Sequence, residues 1–259
     1  MEIIERFYLL HLGGILYLLD GILLYCPENE YRLTGARKRM QLFLFFCGVM
    51  AITLLIFYWG ESKGKQWIRG IGKMSASTLF IILAVYSLRV QELPDYFKTS
   101  YYFLLVGLIF SWWGDLFLLW RHTILFFLGL VAFLLGHISY ITAFLFAQID
   151  IYLFLSAFLV FMVPAIGIAI WLSPNLGAMR IPVYVYILII TLMLSLAIGV
   201  WASMGLWNLS LGALMFYISD IFVARDRFKV SDKWNLLIGG PLYFFGQLFI
   251  ASSLIWLNM

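Results

Sequence analysis

Two aspartates stand inside otherwise apolar segments of the chain and are the residues best placed to do chemistry. Asp115 follows a glycine in the segment 110–120, and Asp220 follows a serine in the segment 216–225. In both segments an aliphatic residue and a phenylalanine come next, and an arginine follows five or six residues after the aspartate. An ionisable side chain inside a membrane-spanning helix is costly, so by default it marks a functional site.

A pair of carboxyl groups in different surroundings can divide acid and base roles between them. If their environments differ enough, one group stays protonated and acts as a general acid while the other is ionised. The alternative is a structural role, in which serine, lysine or backbone donors satisfy each aspartate and fix helix packing. The repeated local pattern favours the functional interpretation, with Asp115 and Asp220 as the catalytic pair.

The composition defines the kind of element that must hold these aspartates. Hydrophobic residues make up 64% of the 259 residues and charged residues only 12%, with a mean hydropathy of +0.99. These values exclude a water-soluble globule and predict an all-α polytopic integral membrane protein, a bundle of eight or nine transmembrane helices. With roughly 20 residues per crossing, the predicted spans lie near 7–26, 40–59, 74–89, 101–120, 123–147, 151–172, 182–203, 205–224 and 234–257.

The predicted domain organisation is one membrane domain with an N-terminal addition. Residues 1–65 are expected to form extra transmembrane helices and basic loops, and residues 66–259 the main domain. The basic loop residues favour a cytoplasmic N-terminus and an external C-terminus, although the basic cluster at 32–39 opposes this orientation. In either orientation the fourth and eighth spans are parallel, which places both aspartates roughly 8–9 Å below the same membrane face. Lys73 is predicted at that face, at the mouth of the third span.

Four further polar residues fall at helical spacing within predicted spans. His137 and Tyr140 share one face of the fifth span, where they either line the site and exchange protons or form an interhelical hydrogen bond. Tyr243 and Gln247 lie one turn apart on the last span, where they either orient a headgroup or a water molecule or serve packing. For both pairs the two readings remain open.

A close-packing seam is predicted beside Asp220, and no metal site is predicted. Gly212, Phe216 and Ser219 fall on one stripe of the eighth span, typical of close helix contact. The sequence has three histidines, and no two of them share a helix at ligand spacing. We therefore expect no metal and no organic cofactor, although a His/Asp zinc site assembled from several spans stays open.

Several of these motifs together resemble the YhhN-like lysoplasmalogenase family, which includes the eukaryotic transmembrane lysoplasmalogenases. The resemblance covers roughly residues 70–257, and one departure is Met74, where the family usually has proline after the lysine. The motifs, in order along the chain, are Lys73, Ser111-Trp112-Trp113-Gly114-Asp115, Gly136-His137-Ile138-Ser139-Tyr140, Gly212 to Asp220, and Tyr243 to Ser252 with Gln247 and Ala251.

The resemblance implies a multi-pass membrane hydrolase that cleaves the vinyl ether bond of lysoplasmalogens, expected in the bacterial inner membrane. The products would be a fatty aldehyde and a glycerophospho-ethanolamine or -choline. The family's proposed catalytic aspartates fall on Asp115 and Asp220, and we expect Asp220 as acid and Asp115 as base or stabiliser. Lys73 or Arg225 would bind the phosphate. The expected substrate-binding residues are Lys73, His137, Tyr140, Ser219, Arg225, Tyr243 and Gln247.

Two other functions are compatible with the same residues. The aspartates could couple protons in a transporter or lipid-binding protein, or the protein could be a metal-dependent hydrolase of another lipid bond. The expected partners are a lysophospholipid substrate and the surrounding membrane lipids. The net charge of +4 is spread over loops beside the membrane, which fits lipid headgroups and not nucleic acid.

Overall fold

The computed structural model describes residues 27–90, 95–120 and 122–256. The chain divides into two units after Leu42, and every contact described below belongs to the unit that begins at Phe43. The described helices are α1 (Pro27–Ser62), α2 (Gln66–Val90), α3 (Asp95–Phe117), α4 (Thr123–Leu145), α5 (Ile151–Leu172), α6 (Arg180–Met204), α7 (Trp207–Phe228) and α8 (Lys233–Ala251).

Eight helices within the described residues are long and apolar enough to cross a membrane, which confirms an all-α polytopic membrane protein. A helix satisfies its own backbone hydrogen bonds, so it is the element that apolar sequences of this length form in lipid. The predicted span at 7–26 lies outside the described residues. The last predicted span ends early, since α8 stops at Ala251 and a short 3₁₀ segment, Ser252–Trp256, follows.

The prediction for the third span was wrong at its N-terminal end. That span was expected at 74–89, but α2 begins at Gln66, so Lys73 lies inside the helix and is buried. Arg69 and Lys73 made the first two turns look too polar to enter the membrane. Ion pairs to Glu61 (3.0 Å) and Asp115 (3.2 Å) lower the cost of placing these charges there.

Six of the helices form a closed ring of neighbours in the order α2, α3, α4, α6, α7 and α8, with α8 packing back onto α2. Helix α5 packs outside this ring, mainly against α6, and leaves long apolar side chains such as Leu159 and Val163 exposed. In a spanning helix these exposed apolar residues suit contact with lipid. The polar residues of interest therefore come from the ring helices.

Small residues bring the ring helices close together. A Cβ added at Gly212 of α7 would lie 2.6 Å from the Gly246 oxygen and 2.9 Å from the Ile250 nitrogen on α8. The predicted seam at Gly212 is thus a backbone-to-backbone contact between α7 and α8, which explains why glycine occupies the position. The contact fixes α7, which carries Asp220, against α8, which carries Tyr243.

The C-terminal ends of α3 and α7 lie at the same face of the bundle. Arg227 near the end of α7 lies 3.5 Å from Thr123 at the start of α4, the helix that follows α3. The rings of Phe126 and Phe228 are also in contact, with centroids 6.1 Å apart. This arrangement places Asp115 and Asp220 near one face, as the depth count along the sequence predicts.

Candidate active site

Asp115 of α3 is buried in a cluster of donors from two other helices, α2 and α8. Lys73 of α2 lies 3.2 Å from Asp115 Oδ1, and its ammonium also donates to the Asp115 backbone oxygen at 3.1 Å. Ser77 of α2 and Tyr243 of α8 both donate to Asp115 Oδ2, each at 2.6 Å. The Asp115 residue as a whole is only 1% exposed, so these contacts replace the water that a carboxylate would otherwise hold.

Asp220 belongs to a second cluster, built by α4, α6 and α7. Tyr186 donates to Asp220 Oδ2 at 2.6 Å, and His137 Nε2 lies 3.4 Å from the same oxygen. His137 Nε2 also lies 2.9 Å from the Tyr186 hydroxyl, which closes a three-membered cluster. Among the described residues nothing hydrogen-bonds to the other carboxyl oxygen, Oδ1. The Asp220 side chain is 15% exposed, whereas that of Asp115 is 2% exposed.

Aromatic rings connect the two clusters. The Phe216 ring lies 5.1 Å from the Tyr243 ring and 4.6 Å from the His137 ring, centroid to centroid. Phe133 packs edge-on against both Phe216 and Tyr243. Tyr243 donates a hydrogen bond to Asp115, and His137 lies beside Asp220. Because Phe216 contacts both of these rings, the two clusters belong to one continuous group of packed side chains. The described residues show no direct hydrogen bond between Asp115 and Asp220.

Both aspartates line the same cavity, which has a volume of about 1250 Å³. Pockets that enclose drug-sized molecules occupy about 300–1,000 Å³, so this cavity has room for a larger ligand. Its wall combines apolar side chains from α1 and from α4 to α8 with polar and charged groups, and its outer part reaches the loop that follows α7. The polar groups nearest the clusters that line it are Lys73, Asp115, Tyr186, Ser219, Asp220 and Tyr243.

The remaining predicted site residues differ in whether they line this cavity. His137 is fully buried beside Asp220. Ser219 is one of the cavity-lining residues, and its buried hydroxyl oxygen has no hydrogen-bond partner among the described residues. Tyr140 donates to Gln247 Oε1 at 2.7 Å, and both side chains are completely buried. Tyr140 and Gln247 therefore form an interhelical hydrogen bond between α4 and α8, and neither is part of the cavity wall.

Lys73 and Arg225 are both engaged by carboxylates of the protein itself. Lys73 is buried against Asp115, and Arg225 makes a two-pronged pair with Asp232, at 3.0 and 2.8 Å. Asp232 also caps α8 by accepting from the backbone N–H groups of Trp234 and Asn235. Arg225 thus ties the end of α7 to the start of α8, and the structure does not bring it to the cavity wall.

Two residues of the clusters were not predicted from the sequence. Ser77 follows Lys73 by four residues, so the helical spacing of two polar residues on one face of α2 was an available signal. Tyr186 has no such signal, because tyrosine is common in apolar helices and its role depends on α6 packing against α4 and α7. Tertiary structure alone identifies Tyr186.

The described residues contain no group of three or more histidine, cysteine, aspartate or glutamate side chains close enough to hold a metal ion. His137 and Asp220 form a pair of such side chains, with His137 Nε2 3.4 Å from Asp220 Oδ2. Two ligands fall short of the three or four that protein zinc sites use.

The fold and the site define a polytopic helical membrane protein whose interior holds two hydrogen-bonded carboxyl groups on one cavity. The family model of the YhhN family matches residues 69–254, and the chain belongs to that family. Comparison with curated proteins and with solved structures gave no match. The match begins in α2 and ends just beyond α8, so it contains both aspartate clusters.

Proposed function

We propose that this protein is a lysoplasmalogenase, a hydrolase that adds water across the vinyl ether bond of a single-chain ether phospholipid. The observation that carries this proposal is the pair of carboxyl groups that line one cavity in unequal surroundings. Asp115 has donors on both oxygens, one of them an ammonium, whereas Asp220 has donors on one oxygen only.

The hydrolysis of a vinyl ether requires one proton donor and one anion. A proton is added to the β-carbon, which leaves an oxocarbenium ion between the α-carbon and the ether oxygen. Water then attacks the α-carbon, and the hemiacetal that forms collapses to an aldehyde and an alcohol. Two carboxyl groups with divided roles supply this chemistry, as they do in the hydrolysis of glycosides.

Asp220 is the general acid in this proposal. Its Oδ2 accepts a hydrogen bond from Tyr186, as the carbonyl oxygen of a neutral carboxylic acid can, and its Oδ1 is left to carry the proton. Oδ1 gives that proton to the β-carbon. Tyr186 and His137 both lie at Oδ2, so they hold the carboxyl group in position and leave Oδ1 free to deliver the proton.

Asp115 is the anion that stabilises the oxocarbenium ion and takes a proton from the attacking water. The Lys73 ammonium and the hydroxyls of Ser77 and Tyr243 surround a negative carboxylate with donors. In the collapse of the hemiacetal, Asp220 recovers a proton from the new hydroxyl group as the C–O bond breaks. Asp115 returns its proton to the departing glycerol oxygen, so both groups regain their starting states.

The surrounding rings and the position of the cavity fit the rest of the substrate. The rings of Phe133 and Tyr243 line the cavity and can stabilise a neighbouring cation, because aromatic rings carry negative charge on their faces. The cavity lies near one membrane face, so the lipid can place its alkenyl chain among apolar side chains and keep its headgroup near water. We propose that the protein acts in this way in the bacterial inner membrane.

The test compares a lysoplasmalogen with its saturated alkyl ether counterpart, using purified protein in detergent. The proposal predicts that fatty aldehyde is released from the vinyl ether only, because an alkyl ether has no double bond to protonate. A folded protein that releases no aldehyde from either lipid would refute the proposal. Transport with proton coupling through the same aspartates would then be the function to test.

A further inference from the structure

The cavity is lined by four lysine or arginine side chains: Arg69, Lys73, Arg227 and Lys233. Arg69 and Lys73 are neutralised by carboxylates, Glu61 and Asp115 respectively. Arg227 has no carboxylate partner within the part of the chain that the structure describes, and neither has Lys233, whose ammonium lies 5.5 Å from the Trp234 ring. Two cations at the outer part of the cavity are thus available to an anion.

Arg227 is held in place but keeps most of its donors. Its guanidinium carbon lies 4.5 Å from the centre of the Phe126 ring, and its Nη2 lies 3.5 Å from Thr123 Oγ1. Stacking on an aromatic face restricts the side chain without using its N–H groups. A guanidinium has five such donors in a planar fork that matches the oxygens of a phosphate, so Arg227 is prepared for bidentate binding.

The carboxylates that share this part of the cavity are already occupied. Asp226 accepts hydrogen bonds from Ser231 at 2.9 Å and from Asn235 at 3.0 Å. Asp232 pairs with Arg225, and Glu61 pairs with Arg69. None of the three is paired with Arg227, so an anion from outside the protein can take that position.

Arg227 stands on the same face of α7 as Asp220. The two residues are seven positions apart, which is close to two full turns and about 10.5 Å along the helix axis. In a lysoplasmalogen, seven bonds separate the phosphorus atom from the β-carbon of the vinyl ether, and an extended chain of that length spans about 8 Å. The separation along α7 therefore fits a substrate that reaches both residues, given the length of the arginine side chain.

We propose that Arg227 binds the phosphodiester of the lysophospholipid headgroup and thereby sets the position of the vinyl ether at Asp220. This assignment rests on the proposed function and replaces the expectation that Lys73 or Arg225 binds the phosphate. The assignment requires a phospholipid substrate, because the phosphodiester carries the negative charge that Arg227 binds. A neutral ether lipid of the same chain length lacks that group.

The experiment measures binding with two ligands that have no cleavable bond. Tryptophan fluorescence of the full chain in detergent is titrated with 1-O-alkyl-glycerophosphoethanolamine and with 1-O-alkylglycerol. For Arg227→Gln we expect affinity for the phospholipid to fall about tenfold to a hundredfold, the loss expected when a charge-assisted hydrogen bond is removed. Affinity for the alkylglycerol should stay unchanged.

Lys229→Gln is the matched control. Lys229 lies two residues further along and carries the same charge, but it donates to Asn175 at 2.7 Å and does not line the cavity. Its replacement should change neither affinity. If Arg227→Gln left phospholipid binding intact, weakened both ligands equally, or matched Lys229→Gln, the assignment would be overturned.

Inorganic phosphate distinguishes a headgroup site from a site for the free anion. We expect millimolar phosphate to displace the ether phospholipid only weakly, because the apolar chain supplies much of the binding energy. Inorganic phosphate that bound as tightly as the lipid would overturn the headgroup assignment. Since neither ether ligand can be hydrolysed, these results do not depend on whether the protein releases aldehyde, and failure of the proposed function is seen separately.

Discussion

Replacing Lys73 with methionine should destabilise the protein through the carboxylate that it leaves behind. Lys73 lies 3.2 Å from Asp115 Oδ1, and both side chains are almost fully buried. The removal of one partner from a buried ion pair typically costs about 3–5 kcal/mol, because the other charge remains without compensation. We expect Lys73→Met to lower the free energy of unfolding by about that amount, and Asp115→Asn to lower it similarly.

The double variant Lys73→Met/Asp115→Asn separates this explanation from a simple loss of packing. If the two side chains contributed independently, the double variant would lose the sum, about 6–10 kcal/mol. Removal of both charges leaves no uncompensated ion, so we expect the double variant to be no less stable than either single variant. The asparagine still accepts from Ser77 and Tyr243, which preserves the rest of the cluster.

The assay is reversible unfolding in mixed micelles with increasing sodium dodecyl sulfate, followed by tryptophan fluorescence. Lys73→Arg is the charge-conserving control and should retain more stability than Lys73→Met, because it keeps a cation beside Asp115. Additive losses in the double variant would refute the view that Lys73 and Asp115 stabilise the fold as a charge pair.

Three further predictions concern Asp220, the helix seam and the loop at the cavity. Tyr186→Phe removes the 2.6 Å hydrogen bond to Asp220 and should lower kcat about tenfold to a hundredfold with little change in KM, whereas Tyr184→Phe, an exposed position on the same helix, should have no effect on steady-state kinetics. Gly212→Ala forces a methyl group against the α8 backbone and should cost about 1–3 kcal/mol in the same unfolding assay, while Gly167→Ala, which meets no atom within 4 Å, should not destabilise. The hydrogen bonds from Arg225 lower the pKa of Asp232 below its ordinary value, so the stability that Asp232 contributes is present above about pH 4 and is lost as the pH falls through the lowered pKa. The difference in Tm between the wild type and Asp232→Asn should therefore shrink as the pH is lowered, and a difference that grew instead would contradict this assignment.

The spans and the two aspartates were predictable from the sequence because the membrane limits what a chain can do. Apolar segments of about 20 residues form spanning helices, and ionisable residues inside them are costly enough to stand out. The same rule failed at the start of α2. Lys73 looked like a residue at the membrane surface, but Asp115 compensates its charge inside the bundle.

The hydrogen-bond and ion-pair partners of the predicted residues were harder to predict from the sequence, because they depend on which helices become neighbours. Arg225 could be assigned to a phosphate from its position, but its carboxylate partner, Asp232, comes from the loop after α7. The sequence left two readings open for the pair His137 and Tyr140 and for the pair Tyr243 and Gln247. It gave no sign that Tyr140 and Gln247 are hydrogen-bonded to each other. Tyr186 gave no signal, since its position beside Asp220 arises only when α6 packs against α7.

The central claim is that Asp220 and Asp115 together hydrate a vinyl ether. The most direct test is the release of aldehyde from a lysoplasmalogen in D₂O, with mass spectrometry of the product. Three proteins are compared: the wild type, Asp220→Asn, and the double variant Lys73→Met/Asp115→Asn. The double variant lacks the Asp115 carboxylate, and because the Lys73 ammonium is also removed, no buried charge is left unpaired. Unlabelled aldehyde incubated with the protein in D₂O corrects for later exchange.

We predict that the wild type releases aldehyde with one deuterium on the carbon next to the carbonyl group, because the β-carbon takes its hydron from the exchangeable site on Asp220. Both variants should remain folded and release at most a trace of aldehyde. Aldehyde without deuterium, or release at the wild-type rate by folded Asp220→Asn, would contradict the account.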